Sequence, residues 1–252
     1  MRQSSLLIVV VLLLAIPLSA GPVALLVNQV NPYTNTYGYG LADWPDMTTA
    51  LQNTFGAGNI TVSNALLDNL AVLMGYNRLW VTARSINYSD PTNNLSATEI
   101  SNIEAFIATG RRVVLIGEND AWADWDNSLL GMLGGTFVGN TGFSESITPV
   151  LADPLTAGVA YLSHDADGIA SGGTPLFSEN VVTLWGSSQN VVTYLSMSQM
   201  GGTNTTFEQN LATWLAGSGG PEVPEPTYDV IVGAALAALG LVRRRHRSRR
   251  FQ

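Results

Sequence analysis

Four consecutive apolar residues, Val113-Val114-Leu115-Ile116, follow Gly110-Arg111-Arg112 and precede Gly117. A strand with one wet face alternates apolar and polar side chains. A strand that is apolar at every position must be covered on both faces, which is the condition of a parallel sheet between layers of helix. The chain before this run supplies the other parts of such a sheet. Val23 to Val27 reads as a buried strand, and Asn31 to Gly40 as a polar, Tyr- and Gly-rich loop. Asp43 and Pro45 open a helix with Leu41, Trp44, Met47, Leu51 and Phe55 at helical spacing, ended by Gly56 and Gly58. Ile60-Thr61-Val62 is a short strand, Ala65 to Met74 a second helix, and Leu79-Trp80-Val81 a third strand. Ser96 with Glu99 forms a capping box that opens a helix through Ile100, Ile103, Phe106 and Ile107, stopped at Gly110. Strands alternating with helices predict an α/β fold with an open, mostly parallel sheet, helices on both faces and right-handed crossovers. After residue 135 the rhythm changes to short β-rich pieces, Ile147 to Leu151, Val181 to Trp185 and Val191 to Leu195, before a closing helix from Thr205 to Leu215.

Charge narrows the function classes. The chain has no cysteine and no lysine. Residues 22–222 carry only Arg78, Arg84, Arg111 and Arg112 against seventeen acidic side chains. So anionic a body has no basic surface for nucleic acid. Without cysteine there is no Cys nucleophile, no Cys-ligated metal and no disulfide, and stability rests on packing. The net charge of −8 understates this, because six further arginines lie between residues 243 and 250.

Those six end a distinctive segment. Val223-Pro224-Glu225-Pro226 is followed by an apolar stretch from Val230 to Val242 and then by Arg243-Arg244-Arg245-His246-Arg247-Ser248-Arg249-Arg250. Only Asp229 is charged between Pro226 and Arg243, and as a helix the 16 intervening residues would cover roughly 24 Å, a little under a bilayer's hydrocarbon core. Positive charge stays on the cytoplasmic side, so the body is expected outside. Gly233, Ala234, Ala235, Ala237, Ala238 and Gly240 bury little area, which suits a temporary anchor. Pro224 and Pro226 keep Glu225 extended and accessible to a protease. In this order the three parts closely resemble the PEP-CTERM sorting signal of Gram-negative bacteria. The resemblance implies recognition and cleavage by exosortase, a membrane cysteine transpeptidase, with Pro224, Glu225, Pro226, Arg243, Arg244 and Arg245 as the sorting residues. It further implies release to the cell surface or extracellular polymeric matrix. The other end agrees: Arg2, the apolar run Leu6 to Ile16, then Ser19, Ala20 and Gly21 have the order of a secretory signal peptide cleaved after Ala20. The expected layout is a signal peptide at 1–20, one domain at 22–216, a Gly/Ser/Pro linker at 217–222, and a sorting signal at 223–250 with its transmembrane segment at 228–242.

The body is similar to the flavodoxin-like sheet of the class I glutamine amidotransferase-like superfamily. Three segments carry the likeness: Arg111-Arg112-Val113-Val114-Leu115-Ile116-Gly117 after the helix ending at Gly110, Asp153-Pro154-Leu155-Thr156-Ala157-Gly158-Val159, and the closing Asn210-Leu211-Ala212-Thr213-Trp214-Leu215. The amidotransferases place a nucleophilic Cys on the turn after the strand matching Val113–Ile116. Here that turn reads Gly117-Glu118-Asn119-Asp120-Ala121, with neither Cys nor Ser. The body's one histidine, His164, lies far along the chain in Ser163-His164-Asp165-Ala166-Asp167-Gly168. The departure predicts a degenerate, non-enzymatic domain.

Ligands of open parallel sheets bind at the carboxyl ends of the strands. Glu118, Asp120, Asp124 and Asp126 cluster there in the sequence. Three readings of these carboxylates stand. They cap and solubilise the next helix, whose Trp122, Trp125, Leu129 and Leu130 face the core. They bind Ca²⁺, the one candidate cofactor, as in a calcium-dependent adhesin. Or Glu118 and Asp120 act as the acid–base pair of a secreted hydrolase on matrix polysaccharide or peptide. The six tryptophans read as core, and Tyr33, Tyr37 and Tyr39 as an exposed aromatic contact. The preferred reading is an exported surface or matrix protein with a binding or structural domain. Its expected partners are exosortase, transiently the inner membrane, and exopolysaccharide.

Overall fold

A computed structural model gives the fold and describes residues 23–217 apart from 30–36, 86, 91–92, 144 and 201–203. The expected signal peptide, the sorting signal with its span, Tyr33 and the linker beyond Gly217 lie outside the described residues. Among the described residues no helix is long and apolar enough to cross a membrane.

The fold is mixed α/β around one seven-stranded, mostly parallel sheet. Its strands are β1 (Leu25–Asn28), β2 (Ile60–Ser63), β3 (Arg78–Val81), β4 (Val113–Ile116), β9 (Thr174–Pro175), β10 (Val182–Trp185) and β11 (Val191–Tyr194), in the order β2-β1-β3-β4-β11-β10-β9. The first five in that order are parallel neighbours, with Leu25 opposite Arg78, Leu79 opposite Val113, and Val113 opposite Val191. β10 and β9 then add an antiparallel edge. The all-apolar run is central and wholly buried, as its composition demands. β2 at the opposite edge is half exposed, which explains its mixed Ile-Thr-Val-Ser sequence.

Among the described residues five helices complete the layers: α1 (Pro45–Phe55), α2 (Leu70–Leu73), α3 (Ala97–Ala108), α4 (Ala123–Gly131) and α5 (Thr205–Ala216). α1 packs on α5, and α2 packs on α3. Because β1→β2 runs one way along the sheet and β2→β3→β4 the other, right-handed crossovers put these two pairs on opposite faces. Pro45 opens α1, whose Met47, Ala50, Leu51 and Phe55 are buried, and Gly56 ends it at φ 77°. The Ser96–Glu99 capping box of α3 forms as expected, with Glu99 also paired to Arg84. All six tryptophans are buried; Trp44 and Trp80 meet edge to face with ring centres 5.9 Å apart.

Three expectations need correction, and two strand pairs were not foreseen. The helix expected over 65–74 shrinks to the single turn Leu70–Leu73, because the Asn69 side chain caps Val72 N–H and starts it late. The strand expected over 147–151 instead ends at Ile147, within β6 (Glu145–Ile147), and the chain then makes a lone bridge from Pro149 to Phe177. The region after residue 135 holds two small antiparallel pairs that lacked a clear alternation: β5 (Thr136–Asn140) with β8 (Gly168–Ser171), and β6 with β7 (Leu162–His164). Tyr37 and Tyr39 are half-buried against the core rather than displayed.

The arginines of this acidic body are tied to backbone carbonyls or to a carboxylate. Arg78 donates to the carbonyls of Leu215, Ala216 and Gly217. Arg112 donates to Trp214 O and stacks on the Trp214 ring at 4.7 Å. Two cations thus sit at the negative end of α5. Arg111 donates to the carbonyls of Met74 and Tyr76 after α2, at 2.9 Å each. At the same edge of the sheet, Ala24 N–H donates to Asn77 Oδ1 at 2.8 Å. The first and last described segments therefore both lie at the amino ends of the strands.

Replacing Arg78 with Met keeps an aliphatic stem and removes the guanidinium. Urea denaturation should show a loss of about 1–3 kcal/mol. A change within about 0.5 kcal/mol would mean that these helix carbonyls do not depend on it.

Candidate functional site

The carboxyl ends of β4 and β11 carry a knot of buried acids. β4 runs straight into Gly117 and Glu118, and β11 into Leu195, Ser196, Met197 and Ser198. The two segments hold each other: Met197 N–H donates to Gly117 O at 3.0 Å, and Gly117 N–H to Tyr194 O at 2.9 Å. Glu118 bridges them with its side chain. Its Oε2 accepts Ser198 N–H at 2.9 Å, and its Oε1 accepts the Ser198 hydroxyl at 3.1 Å. Asp126, one turn into α4, turns inward and accepts Glu118 N–H on Oδ1 at 3.1 Å. Asp167 enters from the loop before β8, its N–H held by Thr141 Oγ1 at 3.0 Å. Glu118 is 6% exposed, and Asp126 and Asp167 are fully buried.

Two glycines make this approach possible. A Cβ on Gly117 would lie 2.1 Å from Asp126 Oδ1, and one on Gly168 would lie 2.1 Å from Glu118 O. No side chain fits at either place without moving the acids.

Burial dominates the electrostatics. It raises Glu118 to about 7 against the pull of the Ser198 and Met197 donors. It raises Asp167 to about 7, with the Glu118 charge adding to the effect. It drives Asp126 well above the ordinary carboxylate range. The Asp126 Oδ2 and both Asp167 oxygens close no hydrogen bond of good geometry; the Ser196 hydroxyl beside Asp167 offsets part of the rise by favouring its charged form. Glu118 and Asp167 therefore stand near their midpoints at neutral pH, and carboxyls packed this closely titrate as a unit. Burial likewise raises Tyr37, with the charges of Asp43 and Glu118 contributing, so Tyr37 lies toward the same edge. Asn28, at the end of β1, is buried there with both side-chain polar atoms unpartnered.

The four acids grouped in the sequence divide in space. Glu118 and Asp126 come together in the knot, whereas Asp120 and Asp124 are exposed on the first turns of the following helical segment. Asp126 therefore does not solubilise α4, because it occupies the inward face with Trp125, Leu129 and Leu130. The cap of the preceding 3₁₀ turn is Asn119, whose Oδ1 accepts Ala121 N–H at 3.1 Å. The third acid, Asp167, comes from about forty residues downstream. Its signal was the Asp165-Ala166-Asp167-Gly168 loop, with Ala166 at φ 57° and Gly168 giving the close approach.

Among the described residues, the acids and histidines whose ligand atoms converge are a different set: Glu145, His164 and Glu179, all within 4.8 Å of one another. Their sequence separation hid them; only the pairing of β6 with β7 brings Glu145 opposite His164.

The acid knot predicts a pH profile. The ordinary values are 4.5 for Glu118 and 3.8 for Asp167, against about 7 in the fold. The folded chain therefore binds more protons than the unfolded chain across that window. The stabilisation is fully present below the unfolded values and is lost as pH rises through the folded ones, by about 1 kcal/mol per pH unit for each group. Melting temperature should fall from pH 4.5 to pH 7.5. The Glu118→Gln, Asp167→Asn double variant should flatten the curve; an unchanged slope would remove these groups as its cause.

No known protein-family model matches the chain, and no curated protein matches it. Among solved structures, the mmIFT52 N-terminal domain aligns at TM-score 0.51 and 11% identity, over 75% of this chain and 92% of its own. Cytoplasmic protein STM3548 from Salmonella typhimurium aligns at TM-score 0.50 and 14% identity, over 76% of this chain and 98% of its own. At such identities the likeness is one of fold.

Proposed function

We propose that the chain is an exported protein of the cell surface or extracellular matrix. Residues 228–242 and the arginines from Arg243 on hold it transiently in the inner membrane, and exosortase processes it at Pro224-Glu225-Pro226. The body is a non-catalytic binding or structural domain, with exopolysaccharide as its expected contact. The observation that carries the reading is the fixed succession of proline-flanked acid, short small-residue apolar stretch and arginine cluster. The strand order supports the finer view of the body as a flavodoxin-like, amidotransferase-type sheet, since β2-β1-β3-β4-β11 has the 2-1-3-4-5 pattern.

The chemistry of the sheet edge favours a non-catalytic body. Where a nucleophile would stand after β4, the chain carries Gly117 and Glu118. Both Glu118 oxygens are engaged by Ser198, and the group is nearly sealed from solvent. A general acid has to reach its substrate. Asp120, its partner in the hydrolase reading, is exposed while Glu118 is buried, so the two do not form a matched pair.

Mass spectrometry of the mature protein from its native host tests the processing. A chain beginning after Ala20 and lacking everything beyond the Pro224–Pro226 region is expected; an intact C-terminus overturns the proposal. For the body, the Glu118→Gln, Asp120→Asn double variant should keep its surface association. A matrix-hydrolysing activity present in the wild type and abolished in that variant would replace this reading with the hydrolase one.

A further inference from the structure

We infer that Glu145, His164 and Glu179 form a binding site for a divalent first-row transition ion, with Zn²⁺ as the fitting probe. The three come from separate elements. Glu145 and His164 are direct cross-strand partners in the β6–β7 pair, which puts their side chains on one face. Glu179 lies on the turn before β10. That turn is fixed against β6 by Ser178 N–H donating to Thr148 O at 2.8 Å, by Thr148 N–H donating to Ser178 Oγ at 3.2 Å, and by the Pro149–Phe177 bridge. One ligand atom from each residue lies within 4.8 Å of the other two. Tetrahedral zinc needs its ligands about 3.4 Å apart. Glu145 is exposed and can rotate to close the difference.

The histidine is prepared for this role. His164 is 2% exposed, and its Nε2 is buried without a hydrogen-bond partner. Its Nδ1 lies 2.8 Å from Thr141 Oγ1. The same oxygen accepts Asp167 N–H at 3.0 Å, and its own proton has Gly142 O as acceptor at 3.2 Å. With the hydroxyl proton directed to Gly142 O, the ring proton belongs on Nδ1 and Nε2 keeps a bare lone pair. An oxygen acceptor that orients a histidine through its other nitrogen is the usual support of a metal ligand, and the Thr141 hydroxyl takes that place here. The carboxylates lack another counter-charge: among the described residues the salt bridge is Arg84–Glu99, and neither Glu145 nor Glu179 meets an arginine. Two carboxylates and a neutral imidazole carry −2, which one divalent ion neutralises. One nitrogen and two oxygens suit zinc better than calcium, which takes six to eight oxygens. Three protein ligands leave one position for water. Bound there, the ion would clamp the β6–β7 pair to the turn leading into β10.

The test uses the full chain, untagged, in detergent and stripped with EDTA. Competition against a chromophoric chelator should show one tight Zn²⁺ per chain, preferred over Ca²⁺ and Mg²⁺ by at least a hundredfold. Glu145→Gln and Glu179→Gln should each weaken that binding at least tenfold and abolish the zinc-induced rise in melting temperature. Asp124→Asn, an exposed acid elsewhere, should leave it unchanged. Because both glutamines replace solvent-accessible acids, circular dichroism will confirm that the variants fold. No stoichiometric zinc, or zinc binding that both glutamine variants retain, as the tail's His246 would give, overturns the site.

Discussion

β4 has to be covered on both faces, and the other elements answer that requirement. Its four side chains offer no polar face, so helices must lie above and below and a strand must flank it on each side. β3 and β11 are those flanking strands, and their buried residues make the sheet's centre continuous. The same burial has a cost where β4 ends. The chain leaves the sheet at Gly117 into a space already filled from three directions, and the side chains that arrive there are carboxylates. The acid knot is the polar termination of an apolar strand. It is satisfied in part by Ser198 and by backbone N–H groups, and burial pushes its acids toward their protonated forms.

The scarce cations work on the other edge. Arg78 and Arg112 meet the last carbonyls of α5, and Arg111 meets the carbonyls of Met74 and Tyr76 just past α2. With no lysine in the chain, positive charge in the described residues is a structural material rather than a surface one. The exposed charge of the described residues is accordingly acidic.

Legibility in the sequence followed the range of the interaction. Local signals were read well: Pro45 and Gly56 bound α1, Ser96 and Glu99 cap α3, and the apolar runs became β3, β4, β10 and β11. Competition between local signals was read less well. Asn69 outbid a run of helix-compatible residues, and a ten-residue helix became one turn. The candidate site was half legible. Neighbouring acids in sequence suggested one cluster, but helical geometry turns Asp126 inward and leaves Asp124 outward two residues earlier. The contributions of Asp167, and of Glu145, His164 and Glu179, depend on pairings between short strands far apart in the chain. Propensity does not carry that information.

The polypeptide enters β1 beside Asn77 and leaves α5 beside Arg78, two adjacent residues. The two ends of the described body therefore meet at one point, beside the start of β3. Glu118, Tyr37 and Ser198 lie at the opposite, carboxyl ends of the strands, so the place where the chain enters and leaves the body is separated from the acid knot by the full length of the sheet.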